Sequence, residues 1–248
     1  MTARLRRGLS GATSAITFLT IFPVRTRDGT ADAAPAWFAL VGALLGAVAA
    51  GTYAGSEQLW GAPVAAILAV VALVILTGGL HLDGLADCAD GLGVRGARER
   101  RLQAMRDPAI GSFGALALLL WGLLLTVSLA QFSTHDAVRA LICAPALGRW
   151  AALLHARWAP AARHDGLGSA FSPSTVSVVI AGLSAVALAV AADPQSAGPA
   201  VLVSLLVAAG VSALSQRALG GRTGDTLGAT VVLAELGVVL LLLAFARG

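Results

Sequence analysis

Seven apolar runs, each long enough to cross a bilayer, dominate this sequence of 248 residues. A hydrocarbon core about 30 Å thick requires roughly 20 apolar residues in a helix. Hydrophobic residues make up 57% of the chain and charged residues only 12%, whereas soluble domains carry about 25% charged residues. We therefore predict an all-α fold, a polytopic membrane helix bundle. The predicted spans are 36–54, 61–82, 114–132, 138–156, 174–192, 198–216 and 226–246.

The segments between these spans are too short to form a separate soluble domain, so we predict a single integral membrane domain over residues 1–248. Ahead of the first span, three arginines precede a short apolar stretch at 15–24. Threonines interrupt that stretch, and it continues into Pro23 rather than into a small-residue cleavage site. We therefore expect an amphipathic helix at the membrane interface and not a signal peptide.

The distribution of the 17 basic residues, all of them arginine, predicts the orientation. With the N-terminus inside, the inside segments are 1–35, 83–113, 157–173 and 217–225. They hold 14 arginines, whereas only Arg139 and Arg247 fall outside and Arg149 lies within a span. The positive-inside rule then predicts that the N-terminus lies on the cytoplasmic side of a bacterial inner membrane. It also accounts for the basic net charge, so we expect no nucleic-acid partner.

Residues 78–91, GGLHLDGLADCADG, contain the strongest chemical signal in the sequence. Asp83, Asp87 and Asp90 are spaced by four and then three residues, which places them on one face of a helix. They directly follow an apolar run, where carboxylates without a partner are costly. Carboxylate oxygens suit Mg²⁺, which commonly also binds substrate phosphates. The motif therefore predicts a catalytic magnesium site, with His81 as a further catalytic candidate.

A second motif, AMRDPAIGSFG at 104–114, falls on the same predicted side of the membrane. Arg106 offers a bidentate fork for phosphate oxygens, and Asp107 follows it directly. Gly111 and Gly114 lie at the start of a predicted helix, where backbone amides can face an anion. We therefore predict that these four residues contact the substrate.

The third motif, GGRTGDTLGA at 220–229, also lies on the predicted inner side. We expect Arg222 and Thr223 to contact substrate and Asp225 to bind metal. Glu235 lies ten residues further on, within the last span, where a carboxylate needs a partner or a function. It is a further candidate metal ligand. Arg149 is its candidate partner or a substrate contact, and a structural and a catalytic pair both remain open.

These three motifs, with Glu235 and with FLTIFPVR at 18–25, resemble the cobalamin synthase family, the membrane-bound adenosylcobinamide-GDP ribazoletransferases. The resemblance implies a Mg²⁺-dependent last assembly step of vitamin B12 synthesis. Adenosylcobinamide-GDP would react with α-ribazole or its 5′-phosphate, giving adenosylcobalamin or its phosphate and GMP. Two positions differ from the family pattern. Pro108 stands where the family often has Ser, and Val232 stands where it usually has Glu.

Two other functions are compatible with parts of the sequence. An acidic cluster at the end of a span also resembles the CDP-alcohol phosphotransferases, although their fuller acidic pattern is absent. A transporter using Arg149 and Glu235 is a third hypothesis, but the acids lie at one face and no inverted repeat is visible.

The sequence leaves open which residue is the general base (Asp90 or His81), whether the acceptor is phosphorylated, how many Mg²⁺ ions bind and whether the chain forms a homo-oligomer. The predicted partners are the small-molecule substrates and the lipid bilayer.

Overall fold

A computed structural model describes residues 3–24, 31–163 and 171–247. These residues are almost entirely helical, which confirms the all-α prediction. The elements in chain order are α1 (Ala3–Leu19), a 3-10 helix (Ala31–Trp37), α2 (Phe38–Trp60), α3 (Ala62–Thr77), α4 (Leu80–Gly93), α5 (Arg98–Ala104), α6 (Ser112–Leu129), α7 (Thr134–Trp158), α8 (Thr175–Ala192), α9 (Pro194–Leu219) and α10 (Gly224–Arg247).

Six segments of the described chain are long and apolar enough to cross a membrane, and a bent pair of helices can supply a seventh. The six are Asp32–Trp60, α6, α7, α8, α9 and α10. The bent pair is α3 and α4, whose axes differ by 92°. This agrees with the predicted count of about seven spans, but the predicted single span at 61–82 does not exist as one straight helix.

Two consecutive glycines cause the bend between α3 and α4. Gly78 and Gly79 have φ angles of 61° and 72°, in the left-handed region that glycine enters at little cost. Gly78 ends α3 by donating its backbone N–H to the carbonyl of Ile75. As a result the axis of α4 turns away from that of α3, and α4 lies across the end of the bundle.

Helix α7 is the centre of the bundle and packs against α2, α8, α9 and α10. It was predicted as the span 138–156, and it is continuous in spite of Pro145. Proline has no backbone N–H, so the carbonyl of Leu141 has no helical donor four residues later. Gly46 of α2 lies against that carbonyl, and a Cβ on Gly46 would be 2.0 Å from its oxygen. The small residue lets the two helix backbones approach closely.

The predicted inner segments meet at one end of the bundle. The Arg222 backbone N–H donates to Pro160 O, and the Ala162 N–H donates to Arg222 O, both at 2.8 Å. Arg98 of α5 donates to Ala162 O, and Arg163 donates to Leu102 O at 3.4 Å. Two arginines used to predict the orientation, Arg25 and Arg27, lie outside the described residues.

The segments predicted on the outer side meet at the opposite end. There Tyr53 donates its hydroxyl to Leu129 O at 3.2 Å, and Thr134 donates to the carboxylate of Glu57. Asp193 caps α9 by accepting the backbone N–H groups of Gln195 and Ser196, each at 3.1 Å. The alternation of sides inferred from the arginines is therefore consistent with the packing.

We expect Gly46→Ala to lower the free energy of unfolding by roughly 1–3 kcal/mol, because the new methyl group would overlap the Leu141 carbonyl. Gly51→Ala on the same helix is the matched control, since a Cβ there has no neighbour within 4 Å. That control should be neutral or stabilising by up to about 1 kcal/mol. Thermal unfolding in detergent, followed by circular dichroism, measures both. Equal melting temperatures for the two variants would contradict the close approach.

Candidate active site

The acidic face of α4 lies at the end of the bundle, as the sequence motif predicted. Asp83, Asp87 and Asp90 all fall within this helix, and their spacing keeps them within an arc of about 60°. Asp83 is exposed, whereas Asp87 and Asp90 are half-buried. The helix therefore presents three carboxylates along one side at the membrane surface.

Close packing of α4 on the start of α10 brings the third motif to this face. A Cβ on Gly84 would lie 2.7 Å from the carbonyl oxygen of Asp225. A Cβ on Gly228 would lie 3.3 Å from the Cα of His81. These two glycines let the helices approach until Asp225 joins the carboxylates of α4. The packing therefore brings residues of the first and third motifs, His81, Asp83 and Asp225, into the lining of one cavity.

The charges of these carboxylates act on one another. The pKa of Asp87 is raised from 3.8 to about 6, first by burial and then by the negative charges of Asp83, Asp225 and Asp90. The positive charge of Arg163 acts on Asp87 in the opposite direction. A cluster that favours a bound proton in this way would also favour a bound cation.

The donor chemistry of Asp83, Asp87 and Asp225 fits a hard divalent cation, because all three offer carboxylate oxygens. Within the described ranges, no three His, Cys, Asp or Glu side chains converge closely enough to form a metal-binding group. The ligand role of Asp83, Asp87, Asp90 and Asp225 therefore stays a prediction.

Asp90 faces a different partner from its two neighbours on α4. Its carboxylate oxygens accept the backbone N–H groups of Gly111 at 2.8 Å and Gly114 at 2.9 Å, at the start of α6. A Cβ on either glycine would lie 2.3 Å from one of those oxygens. We expected these amides to face a substrate phosphate. Instead they bind the protein's own carboxylate, which suits the positive end of the helix dipole.

Arg106 and Asp107 occupy the exposed loop between α5 and α6. Asp107 accepts the backbone N–H of Ala109 at 3.0 Å, which shapes the turn. Pro108, one of the two departures from the family pattern, is exposed in the same loop. The loop leads directly to the glycines that hold Asp90. The substrate contacts predicted for Arg106 and Asp107 stay predictions.

Arg222 and Thr223 are buried and have structural partners. The guanidinium of Arg222 donates to Ala159 O and, at 2.8 Å, to Phe171 O. The Thr223 backbone N–H donates to Thr226 Oγ1 at 2.9 Å, and Thr223 Oγ1 donates to Asp225 Oδ2 at 3.2 Å. These contacts fix the loop before α10 and orient Asp225. They support a positioning role, whereas the predicted substrate contacts have no supporting observation.

Arg149 and Glu235 form a buried ion pair within the bundle. Arg149 also donates to Pro145 O at 3.1 Å. Glu235 is ten residues from Asp225 on one helix, which corresponds to about 15 Å along the axis. One cation therefore cannot bridge Glu235 and Asp225. The structural pair is what the contacts support, and the metal role predicted for Glu235 gains no support from them.

His81 lines one cavity together with Asp83, Arg149 and Asp225. Its ring is buried in the same cavity as the two carboxylates. The catalytic role predicted for His81 stays a prediction.

Comparison with known proteins decides the family. The family model described as cobalamin-5-phosphate synthase, CobS, matches residues 11–244. The chain belongs to this family. The cobalamin-5-phosphate synthase match covers all three motifs, so the resemblance found in the sequence is confirmed.

Several bacterial relatives are similar over most of their length, and each is named adenosylcobinamide-GDP ribazoletransferase. The Herpetosiphon aurantiacus protein is 36% identical over 93% of this chain and 94% of its own length. The Klebsiella pneumoniae strain 342 protein is 42% identical over 83% and 85%. The Citrobacter koseri protein is 38% identical over 83% and 85%. No solved structure matches the chain significantly.

Arg163 and three phenylalanines near the carboxylates carry little signal in the sequence. Arg163 belongs to a loop that looked generic, and it acts on the charge of Asp87. Phe18, Phe38 and Phe171 line the cavity beside His81 and Asp83. The only signal for Phe18 was its place in FLTIFPVR, whereas the other two resemble ordinary apolar residues. Part of the loop after Arg163, His164 to Gly168, lies outside the described residues.

We expect Asp90→Ala to lower the free energy of unfolding by roughly 1–3 kcal/mol, since two backbone amides at the start of α6 lose a charged acceptor. Asp107→Ala is the control, because Asp107 accepts a hydrogen bond only two residues away in the chain and its side chain is exposed. That control should stay within about 0.5 kcal/mol. Chemical unfolding of both variants in the same detergent gives the comparison. Equal stability of the two would show that the Asp90 contacts are not formed.

The raised pKa of Asp87 predicts a pH dependence of the metal-free protein. The folded chain holds this proton more tightly than the unfolded chain, so stability should fall as pH rises from about 4 to 6. Asp87→Asn should flatten that part of the profile. Melting temperatures measured in EDTA at several pH values test this. Glu99→Gln, an exposed acid on α5, is the control and should keep the wild-type profile.

Proposed function

We propose that this chain transfers the phosphocobinamide group of adenosylcobinamide-GDP to α-ribazole or its 5′-phosphate. A ribose hydroxyl of the acceptor, other than its 5′-oxygen, attacks the phosphorus bonded to the cobinamide and gives its proton to a base. The bond from that phosphorus to the GMP oxygen breaks, and a 5′-phosphate on the acceptor is kept in the product. The products are adenosylcobalamin, or its 5′-phosphate, and GMP. The supporting observation is the close packing of α4 on the start of α10, which brings Asp225 near enough to act on the charge of Asp87. The chain belongs to the cobalamin-5-phosphate synthase family, and its relatives are named for this transfer.

Asp83, Asp87 and Asp225 are the residues that would hold Mg²⁺. When bound, the ion neutralises diphosphate oxygens and the charge that develops on the departing GMP. Arg163 adds a guanidinium close to Asp87, and such a group suits a second phosphate contact. Asp90 supports this arrangement indirectly, by fixing the start of α6 beside α4.

A hydroxyl acceptor would have to give up a proton, and the contacts favour His81 over Asp90 as its base. The carboxylate oxygens of Asp90 already accept two backbone N–H groups at the start of α6, so they are occupied by the protein itself. His81 lines the cavity that also contains Asp83 and Asp225. The same base is required whether or not the acceptor carries a 5′-phosphate, because the attacking group is a ribose hydroxyl in both cases.

The proposed location is the cytoplasmic face of a bacterial inner membrane. The arginine-rich segments and the carboxylates lie at the same end of the bundle, and arginines accumulate on the cytoplasmic side. The family match favours adenosylcobinamide-GDP over a CDP-alcohol as the donor. The same family match favours group transfer over transport as the activity of this chain.

GMP release from adenosylcobinamide-GDP, measured with the purified chain, α-ribazole and Mg²⁺, tests this function. We expect release to require both the acceptor and the ion, and CDP-alcohol to release no CMP. Asp83→Asn, Asp87→Asn and Asp225→Asn should each lower kcat by at least about 100-fold, a loss typical of removing a preorganised charge from a site. Glu99→Gln should keep the wild-type rate.

A folded wild-type chain that releases no GMP with either acceptor would refute the proposed reaction. Wild-type rates in all three aspartate variants would refute the carboxylate site while leaving the reaction itself in place. Release that is unchanged in EDTA would refute the proposed dependence on Mg²⁺.

A further inference from the structure

The cavity beside the carboxylates is lined by two chemically different sets of residues. His81, Asp83, Arg149 and Asp225 line its polar end. Phe18 and Leu19 of α1, Phe38 at the start of α2, and Phe171 form an apolar wall. A ligand that fills this space must therefore combine an apolar face with polar groups.

The three phenylalanines form an aromatic wall with nearly parallel rings. Ring centroids are 5.7 Å apart for Phe18 and Phe38, 5.6 Å for Phe38 and Phe171, and 6.0 Å for Phe18 and Phe171. No two ring planes differ by more than 15°. Phe18 remains 39% exposed although it is a large apolar side chain. Parallel rings beside open space suit a flat aromatic ligand.

Backbone contacts hold this wall in place without a ligand. The Ile21 N–H donates to Leu76 O at 2.9 Å, which ties the end of α1 to the end of α3. Arg222 donates to the carbonyl of Phe171 at 2.8 Å, which ties that residue to the loop carrying Asp225. The apolar wall and the carboxylate end are therefore fixed relative to each other.

From this arrangement we propose that the cavity is the binding site of the acceptor nucleoside. The benzimidazole base of α-ribazole contacts Phe18, Phe38 and Phe171, and its reacting ribose hydroxyl points towards Asp83 and Asp225. This inference rests on the proposed function, because it assigns one of the two substrates of that reaction. It makes the three phenylalanines specificity-determining residues.

The chemistry of the wall distinguishes the acceptor base from guanine. Guanine carries an exocyclic amine, a carbonyl and ring N–H groups, and burying these without partners is costly. The residues of the apolar wall, Phe18, Leu19, Phe38 and Phe171, offer no polar side-chain atom. A benzimidazole has no exocyclic polar group, so its flat faces can be buried against these rings. The polar end then receives the sugar and the reacting oxygen.

Kinetics of Phe18→Leu and Phe171→Leu test this assignment, since leucine remains apolar but removes the ring face. We expect KM for α-ribazole to rise about 10-fold, in the range found for loss of one base–aromatic contact. kcat at saturating acceptor and KM for adenosylcobinamide-GDP should change less than about 2-fold. Phe18→Tyr keeps the ring at an exposed position and should restore KM.

A substrate series adds a readout that a general loss of stability would not produce. The wild-type chain should prefer α-ribazole over the riboside of imidazole, which has a smaller flat face, and Phe18→Leu should reduce that preference. Phe245→Leu is the matched control, because Phe245 is 44% exposed on α10 and lies far from the carboxylates. It should leave both substrates' KM values unchanged.

The outcomes separate this proposal from the one on which it rests. If the wild-type chain releases no GMP, the proposed function fails first. If it is active but both leucine variants keep the wild-type KM for α-ribazole, the acceptor site is overturned. A rise in KM for adenosylcobinamide-GDP instead would assign the wall to the donor. A loss of thermal stability in lipid nanodiscs without any change in KM would assign it to lipid or packing contacts. Both of these results also overturn the proposal.

Discussion

The packing of α4 against α10 is the contact on which the rest of the site depends. Helix α4 carries three carboxylates and would be costly to place along the membrane normal inside hydrocarbon. The left-handed glycines at 78 and 79 turn it by 92°, so that it crosses the end of the bundle. Gly84 and Gly228 then allow it to reach the start of α10. Without that approach, Asp225 would not join the acids of α4.

Charge balance divides the acidic residues into two groups. Asp90 and Glu235 have strong partners inside the protein, the amides of α6 and the guanidinium of Arg149 respectively. Asp83, Asp87 and Asp225 are left to repel one another. This division explains how a chain with few charged residues can stabilise its helices with some carboxylates and leave others for the proposed cation.

The motifs in the sequence predicted which segments lie at the same end of the bundle, but they did not predict the partner of each side chain. Gly111 and Gly114 were correctly recognised as an anion-binding helix start, but the anion is the side chain of Asp90. Arg222 was expected to contact substrate, and it instead holds Phe171 and Ala159. Arg163 and the aromatic wall were missed because single arginines and phenylalanines carry no periodic or spacing signal. Their importance arises from neighbours distant in the chain.

The sequence by itself determined the membrane bundle, the side on which its arginine-rich segments meet, the acidic face of α4 and the family. It could do so because span length, positive-inside bias and helical spacing are local properties of the chain. Only the tertiary structure decided which carboxylates have partners, where α3 bends into α4, and how Phe18, Phe38 and Phe171 come to share one cavity with His81. Those features depend on the approach of helix backbones at Gly46, Gly84 and Gly228, and such approach is set by packing between segments far apart in sequence.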